Sequence, residues 1–314
     1  MVGSTPSGFR GLTEERIYSD AGAFAPGIRQ NLPVLMRLFR RRGEQARHFF
    51  FAPNPRTATA ARWAARLCRL PAVHTLCSLP AVGVPIGPGL FADQNVVVSP
   101  WAQRRLADEG FDSVVIEPAV LPLVSSEEGR ARCRERFGDY LLFAGDLRPG
   151  GGVQAVLKTI EHLPDGLALV IACRTKTDAD KARKEALEQQ LKDSFRRPVH
   201  VLGRIDWIGD LVSAAQAQFL PATDLTGKMD WPLVLLEGFA AGVPAVVAQG
   251  SPIAELDAPS LGKAPVDDPA ALAGELERVM SLDAAQTREL YTDRFTPKRL
   301  AEGYRQVYQS LGIM

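Results

Sequence analysis

The stretch from Pro221 to Leu256, PATDLTGKMDWPLVLLEGFAAGVPAVVAQGSPIAEL, restricts the fold more than any other part of the chain. Pro232 suits a helix start, because the N–H it lacks would have had no partner in the first turn. Leu233, Val234, Leu236, Phe239 and Ala240 follow with one carboxylate among them, Glu237, and Gly242 with Pro244 behind it ends the helix. Ala245–Ala248 is a short apolar run of the kind buried in a parallel sheet. The free N–H groups around Pro232, Leu233 and Val234 sit at the end of a loop, where the helix dipole favours an anion. An ordinary helix and strand of an α/β core is the alternative reading of the same residues.

With 314 residues the chain is long enough for two domains of ordinary size. Its 37 basic and 36 acidic residues nearly cancel, which gives no general attraction to nucleic acid. Cys68, Cys77, Cys133 and Cys173 are scattered without metal-ligand spacing and read as reduced thiols, as in a cytoplasmic protein. No run approaches the roughly 18 to 20 apolar residues of a membrane span, and the N-terminus lacks a signal-peptide core.

The first thirty residues are rich in glycine and proline and read as loop. From Asn31 to Arg47 apolar residues alternate at helical spacing with Arg37, Arg40, Arg41, Arg42 and Arg47. Such a helix can lie on anionic lipid, and a solvated surface helix is the other reading. Strands are predicted over His48–Ala52, Val73–Ser78 and Asn95–Ser99, with an Ala/Arg-rich helix running to about Arg69. This is the βα rhythm of a doubly wound sheet. His48 and His74 fall at strand edges, with Asn54 and Thr75 beside them; each His is either a general acid/base or a satisfied structural residue.

A second domain is predicted from about residue 123, with a helix from Ser126, a strand Tyr140–Ala144 and a turn Gly145-Asp146-Leu147-Arg148-Pro149-Gly150-Gly151-Gly152 leading into a helix over Val153–His162. Such a turn lets backbone N–H groups approach a phosphate, although glycines also make plain tight turns. Further strands are read at Leu167–Ala172 and Val199–Leu202, and a helix over Ile208–Ala217.

The wording of Pro221–Leu256 resembles the signature of retaining GT-B glycosyltransferases of family 4 (group 1), where a Glu-x7-Glu element leads into LLE-(A/G)-x-A-x-G-x-P and a strand. NVVVSPWAQRRLADEGF and VVIEP resemble the family's segments between the domains, with Ala119 replacing a glycine. The turn Gly145–Gly152 lines up with its G-R-L-x-x-E-K-G loop. Asp267–Met280 and Phe295–Leu311 resemble its last two helices, and the resemblance covers about Phe49 to Leu311 and is strongest over the second domain.

It implies an α/β GT-B fold of two Rossmann-like domains facing a cleft: an abbreviated acceptor-side domain over 1–122, a nucleotide-sugar domain over 123–296, and a terminal helix over 297–314 crossing back. It further implies a retaining transfer of a sugar, of the hexosyltransferase type, from a UDP- or GDP-sugar to a glycan, lipid-linked or small-molecule acceptor, with no metal or other cofactor. Glu237 would bind the ribose hydroxyls. Gly150, Gly151, Gly152, Pro232, Leu233 and Val234 would offer backbone to the phosphates. The acceptor would lie near Asn54, His74 or Ser99. A cytoplasmic protein is expected, peripheral at the inner membrane face through the Arg37 to Arg47 region.

Three departures stand against that pattern. Asp146 occupies the place of the arginine and Gly151 that of the lysine that clamp the donor diphosphate, and Met229 stands where the first glutamate belongs, with Asp230 next to it. Arg148, Arg174, Lys176 and Lys228 are the cations available to compensate. Arg148, His74 and Asp230 are the candidate catalytic residues. The alternative function is a catalytically degenerate relative acting as a binding or scaffold subunit.

Overall fold

The computed structural model describes residues 2–3, 15–16, 33–34, 36–39, 43–52, 55–175, 177–192 and 197–313. Asn54, Lys176 and Arg40 to Arg42 lie outside them. Two short strands, β1 (Val2–Gly3) and β2 (Glu15–Arg16), pair parallel. The first main unit holds β3 (Arg47–Phe50), helix α1 (Pro55–Cys68), β4 (Ala72–Leu76), β5 (Gln94–Val97), α2 (Pro100–Asp108) and β6 (Val114–Val115). Its four strands are parallel in the order β3-β4-β5-β6. The helix expected over Asn31–Arg47 does not extend that far: residues 43–46 are not helical, and Arg47 opens β3 with its side chain buried.

The second unit follows as α3 (Glu127–Phe137), β7 (Asp139–Gly145), α4 (Val153–Thr159), β8 (Leu167–Cys173), α5 (Asp178–Lys192), β9 (Val199–Leu202), α6 (Ile208–Ala214), β10 (Ala217–Leu220), α7 (Leu233–Ala241), β11 (Ala245–Ala248), β12 (Leu261–Ala264), α8 (Pro269–Met280) and α9 (Ala284–Arg294). Its six strands run parallel in the order β9-β8-β7-β10-β11-β12. Numbered within this sheet, that is the doubly wound order 3-2-1-4-5-6. The helix expected to reach Ala217 stops at Ala214, because Ala217 is already paired with Leu141 as the first residue of β10.

Why β7 is almost wholly apolar follows from its position at the centre. Leu141 and Phe143 point into one cluster with Leu236, Phe239 and Leu276, while Tyr140 and Leu142 point into the other with Val170 and Leu211. A strand covered by helices on both faces has no side left for polar residues. Helix starts are fixed by side-chain caps: Ser99, Ser126, Asp268, Asp283 and Thr296 each accept a backbone N–H of the first turn.

The last helix, α10 (Pro297–Ser310), returns to the first unit, where Val307 is buried with Val73, Val96 and Ile116. Arg294 pairs with Glu117 beside this crossing, and Val120 N–H donates to Phe295 O at 3.0 Å.

Candidate functional site

In the six-stranded sheet the strand order reverses between β7 and β10. Connections leaving the carboxyl ends of those strands depart to opposite faces, and open α/β sheets bind ligands in the crevice this creates. The two connections here are Asp146–Gly152 and Pro221–Pro232, the loops that the sequence singled out. Both Thr223 N–H and Asp224 N–H donate to Gly150 O, at 2.9 and 3.1 Å, so the loops are joined.

That junction explains the glycines. Gly150 and Gly152 have φ of 75° and 97°, and a Cβ on Gly152 would lie 2.8 Å from the carbonyl carbon of Pro221. On Gly151 a Cβ would lie 2.6 Å from Asp146 O, and its N–H already donates to Arg148 O at 2.9 Å. Their first role is therefore to let the two loops close on each other.

Charged groups gather on the same loops. Asp146 Oδ2 lies 2.6 Å from Lys228 Nζ and 3.0 Å from Arg148 Nε. Two of the cations expected to compensate for the missing arginine thus converge on the carboxylate that replaced it. Asp224, which sequence reasoning passed over, belongs to the same group. Its Oδ1 accepts from Thr226 N–H at 2.8 Å, and hydrogen bonding to Thr226, with Arg148 and Lys228 nearby, holds its carboxyl below the usual range. Its signal was the turn sequence Asp-Leu-Thr-Gly-Lys. Two carboxylates and two cations leave the group formally neutral.

Helix α7 begins beside this cluster, with Pro232 as N-cap and no side-chain cap. Trp231 anchors the start: it is buried, its Nε1–H donates to Pro252 O at 3.3 Å, and its ring meets Phe295 edge-on at 5.7 Å. Glu237 is half-buried in the middle of α7. Burial pushes its carboxyl up, and Arg174, just past the end of β8, pulls it back down. The carboxylate and this third cation are therefore near enough to attract each other.

Asp230 does not join Glu237. It is 4 % exposed and accepts a 2.6 Å hydrogen bond from Ser99 Oγ of the first unit. Ser99 is itself buried and caps α2, accepting from Ala102 N–H at 3.0 Å. Burial lifts the Asp230 carboxyl to about 6, against the pull of the Ser99 bond and Arg105. Arg104 pairs with Glu255 across the same seam.

His74 is fully buried between Phe51 and Phe91, its Nε2 3.2 Å from Phe51 O. His48 lies 2.6 Å from Tyr308 OH through Nδ1 and 2.8 Å from Thr75 Oγ1 through Nε2, and Thr75 Oγ1 is 2.9 Å from Tyr304 OH. These groups tie α10 to the first sheet.

No group of three or more potential metal-ligating side chains occurs among the described residues. The chain contains one Asp-x-Asp sequence, Asp178-Ala179-Asp180, whose carboxylates pair with Lys181 at 2.9 Å and Arg183 at 3.1 Å on their own helix.

Residues 138–281 match the family model described as glycosyl transferases group 1. They take in both loops, Glu237 and the whole six-stranded sheet. The chain has the GT-B fold of two Rossmann-like units, and its second unit is similar to the group 1 glycosyl transferases over those residues. Solved structures with the same fold include HepE of Anabaena in complex with UDP and glucose, at 14 % identity and TM-score 0.71 over 91 % of this chain and 82 % of that one. Sucrose-phosphate synthase from Thermosynechococcus elongatus aligns at 18 % identity and TM-score 0.70, over 95 % and 83 %. The lipopolysaccharide outer core galactosyltransferase WaaB in its apo form aligns at 12 % identity and TM-score 0.64, over 96 % and 85 %. None of the curated protein sequences matches the chain.

Proposed function

We propose that this GT-B protein is a retaining glycosyltransferase that takes its sugar from a nucleoside-diphosphate sugar, UDP-linked in the first instance and GDP-linked as the other choice, bound in the crevice between β7 and β10. The reading rests on one observation: the loops at the reversal of the strand order carry Arg148 and Lys228 and lead into a helix with no side-chain cap, whose half-buried Glu237 is attracted by Arg174. Those are the complementary groups for a ribose and a diphosphate. Glu237 would accept hydrogen bonds from the ribose hydroxyls. The N–H groups of Leu233 and Val234, at the positive end of α7, would face the phosphates. The cations would stabilise the negative charge that grows on the departing diphosphate, and stabilisation by groups fixed in place beforehand is worth several kcal/mol. A UDP-bound relative of the same fold is consistent with this donor class.

The acceptor is assigned to the first unit. Of the three positions expected to line it, Asn54 lies outside the described residues, while His74 and Ser99 are buried in the protein's own contacts. The acceptor class therefore stays as glycan, lipid-linked or small molecule.

A specific observation favours a second reading, a degenerate relative that serves as a binding or scaffold subunit: Asp146 already pairs with both Arg148 and Lys228. Titration calorimetry with UDP, GDP and their sugar conjugates separates the two. The transferase reading expects binding of at least one donor and a loss of about tenfold or more in Glu237→Ala, as for a lost charged hydrogen bond. No binding by any donor would leave the scaffold reading.

A further inference from the structure

Helix α1 contains Arg56, Arg62 and Arg66, is followed directly by Arg69, and holds no Asp or Glu. Ala58, Ala61 and Ala64 are its buried face. On the outer face Trp63 and Leu67, one turn apart, are 58 % and 66 % exposed. The segment 36–39 lies against the end of this helix, where Cys68 Sγ–H donates to Leu38 O at 3.6 Å, and it adds exposed Met36 and Phe39.

Beside the helix runs a groove of about 740 Å³, whose lining includes Arg62, Arg66, Arg69, Phe91, Asp93 and Leu311. Asp93 is engaged by Ala72 N–H at 2.8 Å, and Arg62 donates to Leu90 O at 2.6 Å. Among the described residues no hydrogen bond or ion pair holds the guanidinium of Arg66 or Arg69.

We propose that this face docks on an anionic lipid surface, with Arg66 and Arg69 on headgroup phosphates and Trp63 and Leu67 in the interfacial layer. Exposed apolar side chains with unpaired arginines beside them along one helix end match a bilayer surface, which offers negative charge and an apolar layer at adjacent depths. A second copy fits less well, because a two-fold contact through this patch would set arginines against arginines. No helix among the described residues is long and apolar enough to cross a membrane, so the contact is superficial. Within the basic segment that the sequence marked for such contact, Arg37 pairs with Glu44 at 2.9 Å and Arg47 is buried, so its apolar residues contribute rather than these arginines.

Co-sedimentation of the full chain with phosphatidylcholine vesicles, with and without about one-third phosphatidylglycerol, tests this. Binding is expected only with the anionic lipid, and 0.5 M salt, at about a 4 Å screening length, releases it. Arg66→Ala/Arg69→Ala should weaken it about twenty-five-fold, at about fivefold per cation near the surface. Trp63→Ala/Leu67→Ala should also weaken it, with circular dichroism unchanged in both variants. Equal binding of wild type and variants, no binding to anionic vesicles, or a Trp63-dependent dimer in sedimentation velocity would overturn the proposal. None of these readouts depends on donor binding.

Discussion

At the sheet reversal Asp146, Arg148, Asp224 and Lys228 are charged, and Asp146, Arg148 and Lys228 are a quarter to a third exposed. Beneath the terminal helix His48, His74, Thr75, Tyr304 and Tyr308 form a second polar cluster, inward-facing and held neutral. Each has hydrogen bonds at ordinary distances, so bond count does not tell a binding site from a structural joint. What differs is solvent: water reaches the ion pairs of the first cluster, whereas burial in the second pushes both histidines down to about 4. A ligand can meet the charges of the first cluster from solvent, whereas the groups of the second are spent on one another and on holding α10 to the first sheet.

The largest effect should come from the buried cluster. Both histidines titrate lower in the folded protein than when unfolded, His48 through burial and then His74, and His74 through burial against its bond to Phe51 O. The unfolded chain therefore binds more protons between pH 6.5 and about 4, and stability is lost as pH falls through that window. Fully expressed, the loss is on the order of 3 kcal/mol for buried His74 and smaller for half-buried His48, which solvent screens and whose shift is partly the field of His74. Thermal melts from pH 8 to pH 4 should show this fall, and His74→Phe should roughly halve it. An unchanged slope in that variant would mean that His74 is not held neutral by burial.

Asp230 should act with the opposite sign. Its carboxyl is raised from 3.8 to about 6, so the folded protein holds the extra proton and the penalty of ionising it is full above about pH 6. Asp230→Asn should stabilise the protein by on the order of 2 to 3 kcal/mol at pH 8, a gain that disappears below about pH 4. A destabilised variant at pH 8 would instead mean that the bond to Ser99 needs the charged carboxylate.

Much of the second unit was legible from its apolar runs. Leu167–Cys173, Val199–Leu202 and Ala245–Ala248 are strands whose ends glycine or polar residues mark, and the start of α7 was visible in Pro232. Helices α5 and α9 were not anticipated. Asp178–Lys192 and Ala284–Arg294 are mostly polar, and their ion pairs and caps leave little apolar periodicity to find. The loops of the candidate site were also readable, but their pairing was not. Asp146 and Lys228 meet across 82 positions and Ser99 and Asp230 across 131, distances that only the strand order closes.

The exposed cluster supplies a smaller test. If Asp146 merely occupies Arg148 and Lys228, then Asp146→Ala frees two cations and should tighten UDP about tenfold, about 1.4 kcal/mol. Asp146→Arg, which restores the family's residue, should do at least as well. Weaker binding by both variants would make Asp146 a positioning residue that aims its two partners, and would count against the degenerate reading.

The smallest effect expected is on stability at the same site. Arg148→Ala and Lys228→Ala each remove an ion pair about a third exposed, and such pairs contribute at most about 1 kcal/mol because solvent screens them. Melting points should therefore scarcely move, while UDP affinity falls in one or both. That split would be the reverse of the buried cluster, where His74→Phe alters the stability profile and leaves UDP binding unchanged. Should Arg148→Ala or Lys228→Ala unfold the protein as readily as a core substitution, the loops at the sheet reversal would be a structural joint like the one beneath α10, and the donor would have to be sought elsewhere.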